Sequence, residues 1–397
     1  MRRLRFAIFA AALTGFASAG ARSEPSRVPD APPAPANLSE MADALQRVQA
    51  RMTQGDSKAY PESVALLKTM GGAIAAAPPG TWKDRREAQA LAIFILSGGP
   101  LADVVPLLRG ETVPENERPL ARGALAYMTG HAADALALLR SVDVKTLDAR
   151  VAGHVAFARS LLESKHDPKA AIALLDWARL VAPGTLVEEA ASRRELALLA
   201  EAHDSKRVAL LTRQYVSRFP ASVYAPEFFR TFGRKIAEDG LADDPAQYKR
   251  LSDASRALAP DSRRDFLLGL ARAATIRARF GAAEAAAEDA LGGAAPGSPE
   301  EARARLYLAA GRIFTADPET ARADLEAIDS APLDRSDAAL LAAARSVAAQ
   351  LRIAPSPAAI EAQAETMAKD RTGAGATIAT AEGALQRTVA LANGTSQ

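Results

Sequence analysis

Five prolines recur at nearly even spacing from residue 183 onward. Pro183, Pro220, Pro260, Pro296 and Pro332 are separated by 37, 40, 36 and 36 residues. Each follows a stretch that reads as the end of an apolar helix: WARLVAP, YVSRFP, SRALAP, ALGGAAP and LEAIDSAP. Proline lacks an N–H and its ring clashes with the preceding turn, so each marks a helix break. A break at this interval leaves room for two helices and a turn. Periods in the mid-thirties belong to helical hairpins that stack into solenoids, tetratricopeptide (TPR) repeats being the ~34-residue example. The spacing predicts an all-α chain, an α-solenoid of TPR-like hairpins spanning residues 38–354.

Composition agrees with that frame. Alanine makes up about a quarter of the 397 residues, and leucine, arginine and glutamate are also common. All four lose little entropy in a helix. Val and Ile are sparse and rarely alternate with polar residues, so sheets have little support. A hydrophobic content of 49% argues against a mostly disordered chain. Lys and Arg number 49 against 47 Asp and Glu, and this near balance excludes a polybasic nucleic-acid binder. With no cysteine, disulfides, thiolate zinc sites, iron–sulfur clusters and cysteine nucleophiles are all excluded.

Local signals mark where helices start and how they pack. Asp167-Pro168, Asp244-Pro245, Asp317-Pro318 and Ser356-Pro357 each set a capping side chain before a proline at the first helical position. Ser298 with Glu301, and Asn37 ahead of Ser39 and Glu40, have the form of capping boxes. Arg140, Arg179 and Arg218 fall near predicted helix C-termini, where a cation offsets the helix dipole. Gly123, Tyr127 and Gly130 ahead of Ala133 suggest two helices in close approach. Residues 355–397 read as a weakly helical cap or tail with thin apolar faces.

The N-terminus carries an export pattern. A cationic start, MRRLR, precedes the apolar run FAIFAAALTGF and small residues in A-x-A spacing. The run is too short to span a bilayer, which needs ~20 residues. Residues 1–21 therefore read as a cleavable signal peptide, which implies a soluble periplasmic protein. Residues 22–37, with Pro25, Pro29, Pro32, Pro33 and Pro35, read as an extended linker.

Chemistry is hard to find. His131, His154, His166 and His203 form no H-x-x-x-H or H-E-x-x-H pattern, and no phosphate loop, Rossmann glycine set or nucleophile elbow occurs. Ser97-Gly98-Gly99-Pro100 reads as a hairpin turn. Glu188-Glu189 and Asp243-Asp244 could serve acid–base work across a glycan cleft, but read more simply as solvated helix ends. No catalytic residue, metal or cofactor is expected. One window stands out. Residues 213–233, RQYVSRFPASVYAPEFFRTFG, hold six of the chain's twenty aromatics amid several arginines. Aromatic–Arg clusters are common at interface hot spots, and bulky rings are equally the filler an alanine-rich core needs. Both readings stand, and the partner-binding candidates are Arg213, Tyr215, Tyr224, Phe228, Phe229 and Arg230.

Four stretches, residues 38–56 (LSEMADALQRVQARMTQGD), 82–108 (WKDRREAQALAIFILSGGPLADVVPLL), 179–200 (RLVAPGTLVEEAASRRELALLA) and 213–233, resemble in content and order the periplasmic motility protein family MotC of rhizobial and related alphaproteobacteria. The resemblance covers about residues 38–240. It implies a non-enzymatic, exported protein that associates with the periplasmic domain of the stator protein MotB and supports flagellar rotation, meeting peptidoglycan only indirectly. A general periplasmic scaffold in envelope assembly or cell-wall synthesis is the alternative.

Overall fold

The computed structural model describes residues 37–110, 112–314 and 318–351. Among these residues it is all-α, with seventeen α-helices, one 3₁₀ turn at Pro79–Lys83 and no strand. The expected signal peptide, all but the last residue of the expected linker, and the C-terminal tail lie outside the described residues, as do the caps expected at Asp317 and Ser356.

The helices run α1 (Leu38–Met52), α2 (Ala59–Ala76), α3 (Arg85–Leu96), α4 (Val104–Arg109), α5 (Arg118–Met128), α6 (Ala132–Arg140), α7 (Ala149–Glu163), α8 (Pro168–Val181) and α9 (Leu186–Glu201). They continue as α10 (Ser205–Arg218), α11 (Ala225–Asp239), α12 (Pro245–Ser255), α13 (Pro260–Ile276), α14 (Phe280–Leu291), α15 (Pro299–Arg312), α16 (Pro318–Ala327) and α17 (Arg335–Leu351). Pro183, Pro220, Pro296 and Pro332 each fall between an even-numbered helix and the next odd one, and Pro260 is the first residue of α13. Each interval therefore holds one hairpin, and the hairpins stack as the spacing predicts. Consecutive odd helices pack side by side in one layer, from α1 against α3 through to α15 against α17. Even helices form the second layer, with α10, α12 and α14 in a row.

The caps form as expected at Asp167, Asp244 and Ser298, which accept from the N–H of Ala170 (2.9 Å), Gln247 (2.9 Å) and Glu301 (3.1 Å). At the head of α1, Asn37 accepts from Glu40 N–H at 2.8 Å, and the neighbouring orphan donors are met from another helix. Glu87 of α3 accepts from Leu38 N–H (2.8 Å) and Ser39 N–H (3.2 Å), which ties the first helix to the third. The small-residue signal is met too: a Cβ at Gly123 would lie 2.7 Å from Leu139 of α6.

The two halves differ in how the odd layer runs. In the N-terminal half it curls back, so that α3 touches α7 and α1 reaches α9. Leu38, Met41, Ala42, Leu45, Gln49 and Met52 form one buried face of α1, at the spacing of a helix stripe. Every residue from Glu87 to Leu96 of α3 is buried, because α1, α5, α7 and the 3₁₀ turn carrying Trp82 surround it. From α9 onward the layer is a simple ladder, each odd helix resting on the next.

Candidate functional site

The aromatic block lies where the curl closes, on the last turn of α10, the connector that follows and the first half of α11. Tyr215 is its centre. Its ring stands edge-on to Phe229 (5.5 Å between centroids, 77°) and lies 5.6 Å from Phe219 and 6.0 Å from Phe228. Phe228 stacks on Phe232 at 5.1 Å, and Phe232 continues the chain of rings to Phe266 of α13. Aromatic pairs in these offset and edge geometries contribute beyond their area. Amid so much alanine they supply the volume that joins α10, α11 and α13.

Beneath the rings sits a buried charge. Glu189 of α9 has no exposed surface. It accepts from Arg193 at 2.9 Å, from the Tyr215 hydroxyl at 2.5 Å and from the Ser222 hydroxyl at 3.0 Å. Burial, with the Glu189 charge beside it, holds the Tyr215 phenol well above its ordinary 10. The Arg193 guanidinium lies over the Tyr224 ring, 5.0 Å from its centroid. The Tyr224 hydroxyl reaches Met52 Sδ of α1 at 3.6 Å. Met52, Ala59 and Leu186, with Val48 and Tyr224 against them, form a small second core that fastens the α1–α2 hairpin to α9.

The six candidate residues therefore divide. Tyr215 and Phe229 are each 1% exposed and face the interior, as core filler does. Tyr224 and Phe228 are half-buried, while Arg213 and Arg230 are exposed. Arg230 pairs with Glu227 one turn back along α11. Val223, 49% exposed on the connector, is a surface apolar residue that the aromatic–Arg pattern missed. Its hydrophobic side chain in a Pro-flanked turn was the available signal.

Glu188 and Glu189 correct the expectation of solvated helix ends. Both are buried, and Glu188 pairs with Arg218 at 2.5 Å. The same arrangement recurs along the chain. Arg140 of α6 pairs with buried Glu163 of α7 at 2.5 Å, and Arg179 of α8 with buried Glu195 of α9 at 2.8 Å. Arginines read as dipole partners thus also reach across to buried carboxylates of the odd layer. Burial pushes the Glu195 carboxyl up to about 7, although Arg179 and Arg207 pull the other way. Asp243 pairs with Arg279, and Asp244 is the cap of α12.

Remaining candidates for chemistry are enclosed or isolated. Ser97 is buried at the end of α3. His154 is buried on α7, its Nδ1 donating to the Arg150 carbonyl at 3.0 Å, and burial lowers it to about 4, so it is neutral. Among the described residues, no group of three or more His, Asp or Glu side chains could hold a metal ion. No described helix is long and apolar enough to cross a membrane.

Comparison with known proteins places the whole chain. The family model described as Chemotaxis protein MotC matches residues 1–395. A relative, Chemotaxis protein MotC of Rhizobium meliloti (strain 1021), is 29% identical over 314 residues, which cover 78% of this chain and 71% of the relative. The family match runs through both the curled half and the ladder, and the chain belongs to the MotC family.

Proposed function

We propose that this protein is a non-enzymatic periplasmic component of the flagellar motor that binds the periplasmic region of the stator protein MotB. The motility role rests on membership of the MotC family and on the relative's description as a chemotaxis protein. The observation that supports a binding role is the shape of the α10–α11 junction. A core of rings and a buried ion pair hold the half-buried Tyr224 and Phe228 on the same junction as the exposed Arg213 and Arg230. Preorganised aromatic and arginine side chains are what a partner segment engages at least entropic cost.

The test is capture of the MotB periplasmic domain by the exported chain and by its Tyr224→Ala and Arg230→Glu variants, alongside a swimming assay. Saturable capture that both variants weaken, with their circular dichroism unchanged, supports this reading. Unaltered capture and swimming in both variants would remove the junction as the site. Absence of capture by the unaltered chain would favour the general periplasmic scaffold.

A further inference from the structure

A second surface lies on the ladder half, well along the chain from the α10–α11 junction. A groove of about 400 Å³ opens between the end of α12, the start of α13 and the end of α14. Its apolar floor includes Leu258, Leu267 and Ala290, and three arginines, Arg256, Arg263 and Arg264, line it. Leu258 and Leu267 are themselves buried, so the floor is fixed by the core.

The arginines are under-used by the protein. Arg263 Nε and Arg264 Nε are both buried with no hydrogen-bond partner. Arg263 meets Asp289 only at 3.9 Å. Asp289 is already engaged, accepting from the Tyr248 hydroxyl at 2.6 Å and the Ser252 hydroxyl at 2.5 Å. Arg264 pairs with Asp261 at 3.0 Å and Arg256 with Asp253 at 3.5 Å, each partner one turn away on its own helix and open to solvent. Surface pairs of that kind exchange at little cost. Asp289 is the one carboxylate among the residues lining the groove, against three arginines.

We propose that this groove binds an extended acidic peptide segment of a protein partner, its carboxylates on Arg256, Arg263 and Arg264 and an apolar side chain on the Leu258–Leu267 floor. Arginine forks suit carboxylates in such a setting, and charge complementarity selects them over neutral segments. The site is independent of the MotB reading, since none of the partner-binding candidates at the α10–α11 junction lines it and it is tested with a different probe.

The experiment is fluorescence polarisation of the full chain with a labelled Glu-Leu-Glu-Leu-Glu peptide at low and at moderate salt. Its Gln-Leu-Gln-Leu-Gln counterpart serves as comparison. Saturable binding of the Glu peptide is expected, weakened by salt and roughly tenfold by Arg263→Gln or Arg264→Gln. Arg256→Gln, on a side chain 68% exposed and so without consequence for folding, should weaken it as well. Lys68→Gln on α2 should not. Equal binding of the Gln peptide, no saturable binding, or full binding by the folded Arg256→Gln variant would overturn the proposal.

Discussion

Glu189 is fully buried, and Arg193, Tyr215 and Ser222 all point donors at its carboxyl group. Removing one partner of such a pair leaves a buried charge uncompensated. Arg193→Met is therefore expected to cost about 3 kcal/mol by urea denaturation. Adding Glu189→Gln should recover part of that loss, and a double variant as unstable as the single would contradict the account of the pair. The aromatic block divides in the same test. Phe229→Ala opens a cavity worth about 3–5 kcal/mol, whereas Arg230→Ala should stay within about 0.5 kcal/mol. Two buried groups also set opposing pH trends. His154, lowered from 6.5 to about 4, is neutral when folded, so its contribution is present above 6.5 and is lost on acidification. Glu195, raised from 4.5 to about 7, binds a proton more readily when folded, so its contribution falls as pH rises through that window. Each is worth up to roughly 3 kcal/mol. Between pH 4.5 and 6.5, Glu195→Gln should become more acid-sensitive than the unaltered chain, and His154→Gln less so. Parallel profiles for all three would contradict both assignments.

At the scale of the element, α11 and α13 approach so closely that backbone meets backbone. A Cβ at Gly233 would run into the Phe266 carbonyl oxygen, and one at Gly269 would lie 2.8 Å from the Arg230 carbonyl oxygen. An exposed Gly→Ala in a helix interior normally stabilises by up to about 1 kcal/mol. Here Gly233→Ala should instead lower stability by about 2 kcal/mol or more, through overpacking, as thermal unfolding would register. A gain would mean the two helices are not in this contact. Element boundaries were largely legible in the chain. The prolines at 183, 220, 260, 296 and 332 separate hairpins because proline cannot sit in a helix interior, only in a connector or, as at Pro260, at a helix start, and the Asp-Pro starts that lie among described residues cap as their chemistry requires. Helix α9 was not legible in the same way. Its sequence LVEEAASRRELALLA carries charges on every face, yet Glu188, Glu189, Ser192 and Glu195 are buried. Their partners, Arg218, Arg193, Arg179 and Arg207, come mostly from neighbouring helices, and pairing across helices leaves no local pattern to read. The candidate site was legible as a cluster for the same reason that its exposure was not. Ring content is written in the sequence, while the division into buried Tyr215 and Phe229 and half-exposed Tyr224 and Phe228 depends on how α1 returns to α9.

For the whole molecule, the consequence is a scaffold in two parts, a curled half whose inner layer is filled by α1, α3, α7 and α9, and an open ladder that follows. Quasi-one-dimensional stacks present long surfaces because each unit contacts only its neighbours. The curl departs from that pattern, and it places the aromatic junction at a point fastened from both sides, by Tyr224 against Met52 and by Phe232 against Phe266. The resemblance read from four blocks within residues 38–240 extends, in the family match, to residues 1–395, so the ladder belongs to the same protein family as the curl. In the proposed role this folded scaffold serves the motor by holding MotB. Its most direct test is a titration of the MotB periplasmic domain with the exported chain, with the Tyr224→Ala variant in parallel and both checked by circular dichroism. Saturable binding that Tyr224→Ala weakens about tenfold, as expected for an aromatic anchor, would bear the claim out. A well-folded chain that does not bind MotB at all would contradict it.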